Sequence, residues 1–384
     1  MTGFNFETTP RIVCEQGGSG RLGELARGLG VRHFFIITDQ PLLQAGLLAP
    51  ALESLRAAGI AATVYSDVLP DPPEERVLAA VLAAREAGAD GVVGFGGGSS
   101  MDTAKLVALL ARTPAALHDI YGIGLAQGPR LPLVQVPTTA GTGSEVTPIA
   151  IVTTPTSEKK GVVSPMLYPD FALLDSHLTL GLPPRLTAMT GIDAMVHAIE
   201  AFTSRHKKNP VSDALALKAL ALLYANQRKV LEDPRNGTAR EHMLLGSLLA
   251  GMAFANAPVA AVHALAYPLG GHFHVPHGLS NALVLRPVLR FNLEHAAPLY
   301  AQLGEAIGTA RPGQGPIEGA RAFVDAMAAL VAVMPFEQNL RSVGVDRSDL
   351  PMLAEDALKV QRLLVNNPRD VALADALALY EEAF

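Results

Sequence analysis

Gly91-Val92-Val93-Gly94-Phe95 runs directly into Gly96-Gly97-Gly98-Ser99-Ser100-Met101-Asp102, and the reading of this stretch decides the fold class. The apolar run reads as a buried strand, the glycines as a sharp turn, and a helical pattern resumes near Met101. Glycines at such a point let the backbone approach a pyrophosphate closely, while the helix N-terminus offers free N–H groups and the positive end of its dipole. Ser99 adds a hydroxyl. The segment is not a phosphate-binding loop of the Gly-x4-Gly-Lys-Ser/Thr type, and Gly94-x-Gly96-x-x-Ser99 lacks the third glycine of the usual dinucleotide fingerprint. A tight strand-to-helix turn with no ligand explains it equally well when taken alone.

Working outward, His33–Thr38 and Ala61–Tyr65 read as strands, with a helical pattern between them from Pro41 to about Ala58. Glu74–Ala87 reads as a helix closed by Gly88, where a C-cap glycine belongs. Leu131–Val136 and Phe171–Asp175 read as further strands, the latter as the last. Strands apolar throughout, alternating with helices, predict a mostly parallel sheet covered on both faces. After Pro183-Pro184 helical periodicity takes over, punctuated by Pro210, Pro234, Pro258, Pro276, Pro298 and Pro351. The expectation is an α/β domain over 1–182 and an all-α domain over 183–384. A second unusual loop, Pro137–Thr147, carries threonines and glycines just after a buried strand. Two such loops at strand ends of one sheet meet where α/β proteins place ligands, which favours phosphate or dinucleotide binding.

Composition narrows the class. The chain has 384 residues, 49% of them hydrophobic and 17% charged, and a mean hydropathy of +0.27, yet no run of eighteen apolar residues exists to span a bilayer. Met1-Thr2-Gly3-Phe4-Asn5 opens without the basic and apolar segments of an export signal. The single cysteine, Cys14, fits a reducing cytoplasm. With 30 basic against 36 acidic residues and 5% aromatics, there is neither a basic surface nor a stacking platform for nucleic acid. A cytoplasmic protein acting on a small molecule, with no membrane or nucleic-acid partner, is expected.

The histidines point to chemistry. Asp193 and His197 stand four apart in Leu186–Phe202, a helical segment, so their side chains share a face one turn apart. His263 lies in an apolar helical context, and His277 follows Pro276 at a loop or helix start; His272 and His274 between them make this the densest histidine cluster in the chain. A helical Asp–His hydrogen bond and core histidines would account for each pair separately. Together, one carboxylate and three imidazoles suit Fe2+, Zn2+, Ni2+ or Co2+, and lack the all-oxygen set that Ca2+ prefers.

Gly96-Gly97-Gly98-Ser99-x-x-Asp102-x-Ala104-Lys105, the Pro137–Thr147 loop, Gly191-x-Asp193-Ala194-x-x-His197, and His263 with Pro276-His277-Gly278 together resemble the iron-containing alcohol dehydrogenase family, in the family's order and over nearly the whole chain. The resemblance implies a nucleotide-binding domain, a helical metal domain, a cleft between them and a homodimer. It implies Asp193, His197, His263 and His277 as ligands of one divalent metal, Fe2+ first. It implies Asp39, Gly98, Ser99, Thr138, Thr139, Thr147, Lys160 and Leu178 as contacts of NAD. Asp39 closes the first strand, where a carboxylate accepts hydrogen bonds from a ribose 2′-hydroxyl and repels a 2′-phosphate; it is equally placed to cap the helix that follows. Two departures stand out. Tyr267 occupies a position where many relatives carry a histidine, and Pro70-Asp71-Pro72 replaces the usual Pro-Asn-Pro. The implied reaction is reversible hydride transfer between a primary or secondary alcohol and its aldehyde or ketone. Tyr267 and His272 are the catalytic candidates for handling the proton. A maleylacetate-reductase-like enzyme, a hydroxyacid–oxoacid transhydrogenase, and a metal- and nucleotide-binding protein without turnover are the alternatives.

Overall fold

The structure, a computed structural model, describes residues 3–156 and 158–384. Met1 and Thr2, part of the stretch read for an export signal, and Ser157 lie outside the described residues. Thr8–Gly181 forms one compact unit, and Leu182–Phe384 together with the N-terminal stretch through Glu7 forms the other. Asn256 explains that assignment: its Oδ1 accepts the Glu7 N–H and its Nδ2 donates to the Glu7 carbonyl, both at 2.8 Å.

The α/β unit contains β1 (Ile12–Cys14), α1 (Leu22–Ala26), β2 (His33–Ile37), α2 (Gln40–Gln44), α3 (Ala49–Ala57), β3 (Ala61–Tyr65), α4 (Glu74–Glu86), β4 (Gly91–Gly96), α5 (Gly98–Leu110), β5 (Gly122–Ile123), β6 (Leu133–Pro137), β7 (Ile149–Thr153), β8 (Lys159–Val163) and β9 (Phe171–Leu174). Six strands form a parallel sheet in the order β1-β9-β6-β4-β2-β3. Alternation along β2 separates two cores. Phe35 and Ile37 pack with α4 and α5 residues such as Val77 and Leu106, while Phe34 and Ile36 pack with Leu22 of α1 and Leu55 of α3. Both faces are therefore covered, as parallel sheets require.

Three expectations need correction. The helix expected from Pro41 to Ala58 is two, α2 and α3, because Gly46 takes a left-handed φ of 71° between them. The strands are not all buried, as coverage of both faces would lead one to expect: β3 is an edge strand whose first two residues, Ala61 and Ala62, are exposed. A second sheet, β5-β8-β7, was not legible as strands because β8 begins Lys159-Lys160 and one face is solvated.

The chain reverses direction across the sheet between β2 and β4. Within this sheet β3 lies on one side of β2, and β4, β6, β9 and β1 lie on the other. The C-terminal ends of β2, β4 and β6 are neighbours there, and they carry Asp39, Gly96–Ser99 and Thr138–Thr139 respectively. Crevices at such switch points are where open α/β sheets bind ligands.

The second unit is helical among its described residues: α6 (Pro184–Thr203), α7 (Pro210–Glu232), α8 (Gly237–Asn256), α9 (Ala261–Phe273), α10 (His277–Ala306), α11 (Pro316–Ala332), α12 (Leu350–Lys359), α13 (Gln361–Leu364) and α14 (Leu373–Ala383). Nearly every residue of α6 from Thr187 to Thr203 is buried, the mark of a helix with partners on all sides. Gly191 makes room for one of them: a Cβ there would fall 1.8 Å from Gln227 Oε1 of α7. Pro298, expected to punctuate, lies inside α10; its missing N–H removes one intrahelical bond without ending the helix. No single helix among the described residues is long and apolar enough to cross a membrane.

Candidate metal centre

Three helices deliver four donors. α6 contributes Asp193 and His197 from one face, α9 contributes His263 from its first turn, and α10 opens with His277. One ligand atom from each lies within 4.8 Å of the others. Asp193 Oδ1 is 3.5 Å from His277 Nε2, 3.9 Å from His263 Nε2 and 4.0 Å from His197 Nε2. The rings of His197 and His263 stack at 4.8 Å, and Phe254 covers the other face of this group by stacking on His197 at 4.3 Å. Asp193, His197 and His263 are buried; His277 is the accessible edge, with a third of its side chain exposed.

Two side chains not singled out in the sequence fix this arrangement. Glu200 sits three residues beyond His197 on α6. Its Oε2 lies 2.6 Å from His263 Nδ1 and its Oε1 accepts the Val262 N–H at 2.7 Å. A buried carboxylate there requires the proton on Nδ1, which leaves the Nε2 lone pair aimed at the cluster. The same carboxylate caps the start of α9, which has no side-chain cap of its own. Asn281, one turn after His277, donates through Nδ2 to Asp193 Oδ1 at 2.6 Å and lies 3.3 Å from both His263 Nε2 and His277 Nε2. Burial works against ionisation of Asp193, yet its three histidine neighbours and Asn281 hold its carboxyl below the usual carboxylate range. Helical spacing was the available signal for both: an acid and an amide one turn from a ligand. One ionised carboxylate and imidazole nitrogens converging in a mostly buried cluster fit a borderline divalent cation.

The dinucleotide candidates lie in the other unit. Gly96 has φ 157°, and a Cβ there would fall 2.6 Å from Ser100 Oγ. At Gly98 a Cβ would fall 2.8 Å from Thr142 Cγ2, so the glycine turn and the threonine loop meet directly. α5 begins with no side-chain cap, leaving its first N–H groups to an anion. Thr139 is half-buried beside Gly97, Thr138 is buried with its N–H on the Gly96 carbonyl at 3.0 Å, and Asp39 accepts the Leu42 N–H at 2.9 Å as the cap of α2. The other candidates are placed differently. Leu178 is buried among core residues of the sheet. Thr147 turns inward onto Lys105 at 3.1 Å. Lys160 is exposed and pairs with Glu158 at 2.9 Å, because alternation along β8 puts its neighbour Lys159 on the inner face. Lys159 there pairs with Asp71, whose N–H reaches Ser99 Oγ at 3.2 Å. Lys159 is thus linked through Asp71 to the glycine turn, whereas Lys160, the lysine named from the sequence, lies on the exposed face of β8. Asp71 holds φ 49°, a left-handed conformation that aspartate, like the asparagine of relatives, tolerates.

Beneath these loops lies a buried charge cluster. Lys105 has no exposed side-chain surface, and its Nζ donates to Ser144 Oγ at 2.8 Å, Thr147 Oγ1 at 3.1 Å and the Ile149 carbonyl at 2.7 Å. Ser144 Oγ donates to Asp102 at 2.6 Å. Burial pushes the Lys105 ammonium down to about 8 against the pull of Asp102 and Glu145. Burial likewise pushes Glu145 up to about 7, with Lys105 opposing it.

The sequence matches the iron-containing alcohol dehydrogenase family over residues 9–176 and the C-terminal part of the same family over 187–384. The chain belongs to the iron-containing alcohol dehydrogenase family. It is 40% identical to a long-chain-alcohol dehydrogenase of Geobacillus thermodenitrificans, over 96% of this chain and 94% of that one. A crystal structure of a 1,3-propanediol oxidoreductase superposes with a TM-score of 0.96 at 35% identity, covering 100% of both chains. A sulfoacetaldehyde reductase of Bifidobacterium kashiwanohense, solved in complex with NAD+, superposes with a TM-score of 0.90 at 27% identity over 100% of this chain and 99% of that one. Of the two catalytic candidates, only Tyr267 sits at the edge of the donor cluster. Tyr267 places its ring 6.2 Å from that of His277. His272 is exposed and its Nε2 lies 2.6 Å from Asp356 of α12.

Proposed function

We propose that this family member is an NAD(H)-dependent oxidoreductase that interconverts primary or secondary alcohols with aldehydes or ketones, using one divalent metal, Fe2+ first among Fe2+, Zn2+, Ni2+ and Co2+. Asp193, His197, His263 and His277 are the proposed ligands. The convergence of their four donor atoms within 4.8 Å carries the reading. When bound, the ion supplies Lewis acidity to the substrate oxygen and the nicotinamide supplies or accepts hydride. The protein's own part is positioning. Glu200 fixes the His263 tautomer, and Asn281 orients Asp193. The uncapped N–H groups at Gly98 and Ser99 take the pyrophosphate, with Thr138 and Thr139 beside them. Asp39 takes the adenosine ribose, its cap on α2 leaving one carboxylate oxygen for that hydroxyl. Lys159, paired with Asp71, replaces Lys160 as the proposed lysine contact. Tyr267 lines the substrate side of His277, while His272 is engaged by Asp356 and is a weaker candidate for proton transfer than in the sequence reading.

The test is metal analysis of purified protein alongside NADH oxidation with a panel of aldehydes, keto acids and maleylacetate. Stoichiometric metal with aldehyde reduction supports the proposal; turnover confined to maleylacetate, or none with metal bound, overturns it.

A further inference from the structure

The accessible edge of the donor cluster carries a cation. Arg362, the second residue of α13, is exposed, with its Nη2 3.4 Å from the Tyr267 hydroxyl and its guanidinium 5.8 Å from the centre of the Tyr267 ring. Tyr267 is in turn the ring next to His277, the only one of the four donor residues that is not buried. Contacts therefore run unbroken from His263 through His277 and Tyr267 to a positive charge.

That charge has no carboxylate. Asp356 of α12 is already held by His272 at 2.6 Å and Lys359 at 2.6 Å, and among the described residues Arg362 makes no ion pair. A guanidinium resting on a tyrosine ring keeps its planar fork of N–H donors oriented at low entropic cost, and that fork matches a carboxylate or sulfonate. On the other flank Phe254 stacks on His197 and offers only apolar surface. A substrate with an aldehyde at one end and an anion at the other would find both ends answered on this one face.

We propose that Arg362 is a specificity-determining residue that selects short aldehydes bearing a terminal monoanion, a carboxylate or a sulfonate, over neutral aldehydes of equal length. This rests on the proposed oxidoreductase reading. The Tyr267 hydroxyl holds the guanidinium in place, and the anion pairs with the outer N–H groups while the carbonyl lies against the donor cluster.

The experiment measures kcat/KM with NADH for succinic semialdehyde against butanal, and for sulfoacetaldehyde against propanal, in the wild type, Arg362→Met and Arg362→Lys. The wild type is expected to favour the anionic member of each pair. Arg362→Met should lower the anionic-to-neutral ratio by about 10- to 100-fold, the range for losing a hydrogen-bonded charge partner. Arg362→Lys, which keeps the charge without the fork, should fall between. The two pairs separate a carboxylate preference from a sulfonate one. A wild type that favours the neutral aldehydes, or a ratio unchanged in Arg362→Met, overturns the proposal. If no aldehyde is reduced, the oxidoreductase reading fails by itself, and calorimetric titration with propane-1-sulfonate then decides the inference about Arg362. Binding that is lost in Arg362→Met sustains an anion site; absence of binding by the wild type overturns it.

Discussion

Two buried polar clusters in this chain solve the same electrostatic problem in opposite ways. In the α/β unit, Lys105 brings its own cation: all three ammonium hydrogens meet an oxygen, from Ser144, Thr147 and Ile149, and Asp102 balances the charge through Ser144. In the helical unit, Asp193 and three histidines turn acceptor atoms toward one point, with Asn281 as the N–H donor among them. The first cluster is electrically complete within the sequence. The second is arranged so that a cation from outside completes it. The lesson is that burial of charge does not mark a functional site; the sign and direction of the donors do.

The sharpest way to break this contrast is to remove a donor from each. His263→Ala should abolish aldehyde reduction and deplete bound metal, with far-UV circular dichroism unchanged; retention of both metal and turnover would exclude His263 from the ligand set. Lys105→Met should leave the metal in place but lower unfolding free energy by about 3–5 kcal/mol, the cost of stranding a buried partner charge. The double variant Asp102→Asn/Lys105→Met should recover part of that loss, as a denaturant midpoint series would read directly.

Smaller effects sharpen the comparison. Glu200→Gln removes the carboxylate that holds the His263 proton, and metal affinity should fall about 10- to 100-fold in a chelator competition. Glu145→Gln tests the self-contained cluster by pH. The pKa of Glu145 is raised in the folded state from its ordinary 4.5 to about 7, so its neutral form contributes stability below about pH 4.5 that is lost as pH rises through 7. Glu145→Gln should therefore be more stable than the wild type by on the order of 1–3 kcal/mol at pH 8, with the gain shrinking toward pH 5. An equal difference at both pH values would return Glu145 to an ordinary pKa. Least of all, Tyr267→Phe should change turnover by about threefold or less if the residue only lines the pocket; a loss of about a hundredfold would make it a proton carrier.

The strands that decide the α/β class were legible because they are short, mostly apolar runs between turn residues, and β2, β3 and β4 fall within one residue of their expected bounds. The β7–β8 hairpin was not, since Lys159 and Lys160 carry no apolar signature and their pairing is set by neighbours distant in sequence. At the site, His263 and His277 were legible as residue types that suit a metal, whereas their convergence with α6 is a product of helix packing that spacing alone does not encode. Glu200 and Asn281 escaped because helical spacing puts an acid or an amide one turn from a ligand without saying which partner it faces. Lys160 alone was named from the sequence, and the inward placement of Lys159 is set by the sheet register, since one residue along a strand reverses the face.

Gly278, immediately after His277, has a further consequence. A Cβ there would fall 2.5 Å from the Met189 carbonyl oxygen of α6, so α10 begins flush against the helix that carries Asp193. Bonds from nitrogen and oxygen to a transition metal tolerate little stretch, at about 2.0–2.2 Å. A hydrogen atom at position 278 thus works as a calibrated spacer. Alanine would wedge the two helices apart beside His277 and Asp193, and a metal held by these donors would then be expected to be one of larger radius.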